Sequence, residues 1–249
     1  MPIETTGFWA AAVLAAVLVG LSKGGWPVVG MLAVPIMSLV MNPLVAAGLL
    51  LPVYIVSDIF GVWAYRREFH RKLLMLLVPA GLLGTLIGWA TASIVSERAV
   101  TGVVGAIGLA FALNRLLRNG DGAEPRPIRV GPGIFWGTLT GFTSFISHAG
   151  APPYQVFVLP LKLSKQVFAG TTTILFAIIN ASKLVPYWQL GQLNVGSVKA
   201  AALLLGPAVL GVFAGHRLVK VVPTKTFYAI VTWALLLVSV RLLWVAALG

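Results

Sequence analysis

Six stretches of the chain, near 43–65, 73–92, 99–117, 166–188, 195–215 and 226–247, are almost unbroken apolar sequence. Each is about the 20 residues that a helix needs to cross the hydrocarbon of a bilayer. Only 10% of the residues are charged and 59% are hydrophobic, whereas a soluble domain carries roughly 25% charge. A water-compatible surface cannot be built from that composition, so the predicted fold class is an all-α polytopic membrane protein. Two more regions, 7–41 and 131–162, are apolar but interrupted. The first interruption is Ser22-Lys23-Gly24-Gly25-Trp26-Pro27, and the second is Ser147-His148-Ala149-Gly150-Ala151-Pro152-Pro153. Their flanking pieces are short for full spans and suggest broken or re-entrant helix pairs. The first apolar region lacks a basic leader and runs on into its break, so it is not expected to be a cleaved signal peptide.

The two interruptions open two halves of a repeat. Ser22, Pro27 and Pro35 match Ser147, Pro152 and Pro160 at one offset of 125. Ala47-Gly48 matches Ala169-Gly170, the pair Gly84 and Gly88 matches Gly211 and Gly215, and Arg115-Leu116-Leu117 matches Arg241-Leu242-Leu243. The shared order divides the chain into an N-terminal repeat (1–117), a polar linker (118–130) and a C-terminal repeat (131–249). Each half holds a broken pair that returns to its starting side, then three spans. The second half therefore starts on the opposite face, and the repeats have inverted topology.

The net charge of +12 would suggest nucleic acid in a soluble protein. Here it sorts by loop. Thirteen basic residues, among them Arg66, Arg67, Arg71, Lys72, Arg126, Arg129, Lys162 and Lys225, fall on one side, and Arg98 alone falls in the opposite loops. The positive-inside rule places the basic loops and the linker in the cytoplasm and both termini outside. The lipid bilayer is thus the partner the charge pattern addresses, and no nucleic acid is expected. With no Cys, disulfides, thiolate metal sites and iron–sulfur clusters are excluded. No cofactor is expected.

Irregular backbone at membrane depth is tolerated only within protein or beside a water-filled cavity, so the interruptions are the candidate substrate sites. Pro27 and Pro152 suit the first turn of a helix. Gly24, Gly25 and Gly150 let a ligand approach the backbone. Two inward-pointing helix N-termini, the Lys23 ammonium, the Ser22 and Ser147 hydroxyls, and His148 opposite Lys23 in the repeat would together favour an anion. Trp26 and Gln155 are candidates to line the same cavity. Each has a plainer alternative: Gly-Gly-x-Pro as a packing kink, Lys23 snorkelling to an interface, His148 as a packed, hydrogen-bonded histidine. On the anion reading, Lys23→Ala lowers anion binding with little loss of folded protein.

Asp58 is the one acid well inside a span, and the repeat pairs it with Asn180. It either balances Lys23, carries a proton, or serves as a structural counter-ion. Lys183 lies one turn beyond Asn180. Because it falls across the midplane from Asp58, a direct pair is not expected. Thr171-Thr172-Thr173 suggests helix-to-helix hydrogen bonding, and the paired glycines suggest small-residue packing seams.

Several of these stretches resemble the TauE/SafE sulfite exporter family, also called the toluene sulfonate uptake permease family. They are Lys23-Gly24-Gly25 with Pro35, Pro79-Ala-Gly-Leu-Leu-Gly84, Gly170-Thr171-Thr172, and Tyr187 followed by Gly191-Gln-Leu-Asn194. The resemblance covers nearly the whole chain. It implies a bacterial inner-membrane carrier for sulfite, sulfoacetate or other small organosulfonate anions, with 23–25 and 148–153 in its two signatures. The expected activity is secondary transport by alternating access, since no Walker A pattern is present. A homo-oligomer is compatible with it. The alternatives are a membrane assembly or accessory protein, and an intramembrane enzyme. For the enzyme, adjacent Ser147 and His148 are a weak basis.

Overall fold

The structure is a computed structural model that describes residues 6–117, 124–189, 191 and 195–248. Glu4, linker residues 118–123 and Asn194 lie outside the described residues. The helices, in chain order, are α1 (Thr6–Lys23), α2 (Ala33–Met37), α3 (Pro43–Tyr65), α4 (Arg71–Thr91), α5 (Glu97–Leu117), α6 (Val130–Ser147), α7 (Ala151–Val158), α8 (Lys165–Ser182), α9 (Leu184–Gln189), α10 (Val195–Val221) and α11 (Thr224–Leu248). Two 3-10 turns, Val29–Leu32 and Leu159–Leu161, precede α2 and follow α7. Among the described residues no strand occurs, and seven helical segments are long and apolar enough to span a bilayer.

Six of those spans fall on the predicted runs. The seventh is α1, so the first interrupted region begins with a helix long enough to span and continues in a short arm, whereas the sequence predicts two pieces that are both short for a full span. The second interrupted region has the same form: the 18-residue α6, then the short α7 and a 3-10 turn. A further difference is in the run at 166–188, which is broken at Lys183 between α8 and α9. Pro27 also differs from expectation. It lies in a turn ahead of the 3-10 segment, so only Pro152 occupies the first turn of an α-helix.

The chain packs as two compact units, 1–69 with 169–222 and 70–168 with 223–249. Each draws on both sequence halves. In the first unit, α1 and α10 meet along a glycine seam. A Cβ at Gly20 would collide with the Ala208 carbonyl, and one at Gly24 would lie 2.7 Å from the Gly215 Cα. Residue numbers rise together along this seam, so the two helices are parallel. Above it, Phe8, Ala12, Ala15, Ala16 and Val19 of α1 recur at helical spacing and bury against Leu49, Leu50 and Leu204. Lipid tails are as apolar as a core, so close backbone approach, not hydrophobic contrast, holds such helices together.

The second unit uses the same device. α4 and α6 are parallel, with Leu76 against Gly133, Ala80 against Gly137 and Gly88 against Phe145. α5 and α11 are antiparallel, with Gly102 against Ala246 and Gly108 against Ser239. A Cβ at Gly84 would collide with the Thr138 carbonyl. Gly84→Ala should therefore cost about 1–3 kcal/mol through overpacking, and Gly84→Leu should abolish the monodisperse peak in size-exclusion chromatography. Gly206→Ala, where a Cβ meets nothing within 4 Å, should leave the peak and the melting temperature unchanged.

Candidate functional site

The first break is built by closing the end of α1. Gly25 has φ +112°, a conformation that glycine adopts without steric cost. Around it the Trp26 N–H donates to the Leu21 carbonyl (3.2 Å) and the Gly25 N–H to the Ser22 carbonyl (3.3 Å). This is the Schellman pattern of a helix C-terminus. The next two carbonyls are taken by side chains from other helices. Thr173 Oγ1 donates to the Lys23 carbonyl (3.1 Å) and the Tyr65 hydroxyl to the Gly24 carbonyl (2.7 Å). Every carbonyl from Leu21 to Gly24 is thereby satisfied inside the protein, as a buried helix end requires. Thr173 thus links helix to helix, as the threonine run suggests.

Lys23 occupies the last helical position, where a cation complements the carbonyl end of the helix. It is 5% exposed. Its Nζ lies 2.8 Å from Asp58 Oδ1. Asp58, 4% exposed, receives on its other oxygen a hydrogen bond from Asn180 Nδ2 at 2.8 Å. One carboxylate oxygen is therefore ion-paired and the other hydrogen-bonded. Lys183, 1% exposed at the break between α8 and α9, interacts electrostatically with both Asp58 and Lys23. Tyr54 and Phe176 complete the surroundings, their ring centres 5.2 and 6.0 Å from Lys23 Nζ. Two lysines thus lie near one carboxylate among buried side chains.

The other first-break residues serve the fold more than a ligand. Ser22 donates its hydroxyl to the Val19 carbonyl (2.7 Å). Trp26 donates its indole N–H to the Gly215 carbonyl (3.2 Å). Gly24 is consumed by the seam with α10.

The second break lies wholly within the other unit. His148 ends α6 in the left-handed conformation (φ 52°). The Ala149 N–H donates to the Thr143 carbonyl (3.2 Å), which also accepts the Ser147 hydroxyl (3.2 Å). Gly150 is the N-cap of α7, and Pro152 and Pro153 fill its first turn. Gln155, one turn further, is fully buried, and neither its amide nitrogen nor its amide oxygen has a partner among the described residues. Such a group costs about 1–3 kcal/mol if left unpaired, so it is the one side chain of this break that calls for a ligand or water.

Sequence reasoning missed Tyr54 and Phe176. A signal was present: they sit four residues before Asp58 and Asn180 and share the 122-residue offset of the Ala47-Gly48 and Ala169-Gly170 pair. The ion pair also changes what a Lys23 substitution should do. Removing one partner of a buried pair strands the other and costs about 3–5 kcal/mol. Lys23→Met should therefore lower the melting temperature of the detergent-solubilised protein, and Lys23→Met with Asp58→Leu should recover most of the loss. A single variant as stable as the parent would mean that the pair does not form.

One family model, described as sulfite exporter TauE/SafE, matches residues 8–242. No curated protein and no solved structure matches the chain. The match takes in both breaks, the glycine seams and the whole Lys23–Asp58–Asn180–Lys183 cluster, so the chain belongs to the sulfite exporter TauE/SafE family of membrane transporters.

Proposed function

We propose that this protein is a secondary transporter that carries hydrogensulfite or a small organosulfonate across the bacterial inner membrane by alternating access. We further propose that the Lys23–Asp58–Asn180–Lys183 cluster is where the anion binds. The observation that carries this reading is two buried lysines, Lys23 and Lys183, around a single buried carboxylate. Ionisable side chains inside membrane spans mark substrate and ion pathways, and a monoanion is the ligand that a lysine-rich cluster of this kind suits. A dianion such as sulfate would leave a net negative charge in the same surroundings. The aromatic faces of Tyr54 and Phe176 offer an apolar wall for the organic part of a sulfonate.

The contacts also support inverted topology. Two inverted halves require α1 and α10 to run the same way, α4 and α6 likewise, and α5 and α11 oppositely. The register of contacts has that sense in all three pairs. Asp58 and Asn180, equivalent in the repeat, touch each other. A residue in contact with its own equivalent lies on the axis relating the halves, and for inverted repeats that axis lies in the membrane plane. Asp58 is 15 residues beyond Pro43, and Asn180 is 15 beyond Lys165. At 1.5 Å per residue each is about 22 Å into its helix, deep enough to lie within the hydrocarbon of the bilayer. A site buried at membrane depth suits alternating access. The basic loops, by their charge, would face the cytoplasm.

The test is ligand-induced thermal stabilisation of the purified protein with methanesulfonate, hydrogensulfite, sulfate and acetate, followed by uptake into proteoliposomes. Methanesulfonate and hydrogensulfite should stabilise it more than sulfate does. Lys183→Gln, which removes one of the two lysines while leaving the Lys23–Asp58 pair, should weaken that binding at least tenfold. A protein that responds to no anion in either assay is not a carrier of this class.

A further inference from the structure

In the second unit, a cavity of about 310 Å³ opens between the end of α5, the residues after the Leu159–Leu161 turn and the start of α11. Its lining includes Arg115, Lys162 and Lys225, and none of its lining residues is acidic. Arg115 lies in the last turn of α5 and Lys225 is the second residue of α11. Lys162 closes the 3-10 turn in the left-handed conformation (φ 49°), which is unusual outside glycine and fixes where its side chain departs. Three cations thus converge at the ends of membrane-spanning helices, the depth at which lipid headgroups lie.

The rest of the lining is of a different character. Leu159, Leu163 and the ring of Tyr228 supply apolar wall. The Tyr228 hydroxyl is spent on the Leu163 carbonyl (2.6 Å), so it anchors the ring in place. On α11, Ile230, five residues deeper into the span than Lys225, is 42% exposed, an apolar surface of the kind that acyl chains cover. A soluble anion needs only the cationic part of this arrangement. A phospholipid uses both, its phosphate among the cations and its glycerol and chains along the leucines.

We infer that this cavity seats the phosphate of an anionic membrane lipid, with Arg115, Lys162 and Lys225 as its cationic rim. The inference is independent of the transported substrate, because none of these residues belongs to the Lys23 cluster. Basic pockets at helix ends are a recognised mode of anionic headgroup binding, with each Lys or Arg near the surface contributing about fivefold in affinity.

The full chain in neutral detergent is titrated with short-chain phosphatidylglycerol, short-chain phosphatidylcholine and inorganic phosphate, with occupancy read by native mass spectrometry. Phosphatidylglycerol should bind more than tenfold tighter than phosphatidylcholine, and inorganic phosphate should not compete at equal concentration. Lys162→Gln with Lys225→Gln should weaken phosphatidylglycerol roughly 30-fold, and Lys162→Arg with Lys225→Arg should preserve it. Should the double Gln variant fail to fold, Lys225→Gln alone, at an exposed position, should weaken binding about fivefold. Equal binding of the two lipids overturns the inference. So does a folded Gln variant with parental affinity, and so does inorganic phosphate competing as well as the lipid, which would assign the cavity to a soluble oxoanion.

Discussion

A helix that ends inside a bilayer leaves carbonyls that water cannot reach, and the first unit is organised around meeting that demand at α1. Gly25 turns the chain so that two carbonyls are closed locally, and Thr173 and Tyr65 close the next two from α8 and α3. Gly20 and Gly24 let α1 lie against α10, and Gly61 lets α3 come close to the same helix end. A Cβ at Gly61 would sit 2.7 Å from the Thr173 methyl and 2.9 Å from the Lys23 carbonyl. Lys23, at the final helical position, is delivered by the same geometry to Asp58. The break, the seam and the ion pair are therefore one construction. The charge chemistry proposed for transport depends on the backbone bonds that allow α1 to stop there.

The spans were legible in the sequence because hydrocarbon thickness imposes a run length that few other constraints imitate. The breaks were legible because Gly-Gly-x-Pro and Gly-Ala-Pro-Pro cannot continue an α-helix. What was hidden was which face of each helix meets which neighbour. In water, amphipathic spacing reports burial. In lipid both faces are apolar, and Leu82, Leu83, Leu86 and Ile87 of α4 are exposed beside buried Leu73, Leu74 and Leu77. That silence is why the sequence halves do not reveal the packing units, each of which takes helices from both. The break at Lys183 did carry a signal that sequence reading passed over: Pro186, in the first turn of α9, has no N–H to offer the carbonyl of the preceding turn.

Among the site residues, the sequence identified the charged pair and its repeat equivalent but not their neighbours. Lys23 stood out as a cation beside a break and Asp58 as an acid within a span, both rare in hydrocarbon. Tyr54 and Phe176 did not, since an aromatic ring in a membrane helix is ordinary. Ser22 was legible as a hydroxyl near the break, but not as one already committed to its own helix. Its repeat counterpart Ser147 makes the same commitment to the Thr143 carbonyl. Hydroxyls in spans often bond back along the helix, so proximity to a break is weak evidence that such a group faces a ligand.

The two sequence halves match in spacing but differ in chemistry, and electrostatics accounts for part of the difference. At the offset of 122, Asp58 answers to Asn180, Tyr54 to Phe176 and Gly61 to Lys183. Asp58 and Asn180 are in direct contact. Two carboxylates at that separation in a low-dielectric interior could not both stay ionised, whereas an amide offers the N–H that a carboxylate accepts. A position that touches its own equivalent can thus carry charge in only one half. Once Asp58 is charged and Asn180 neutral, cations need not be matched either. Lys23 has His148 as its counterpart and Lys183 has a glycine, so the lysines gather beside the one carboxylate, and the proposed anion site is built from one asymmetric cluster.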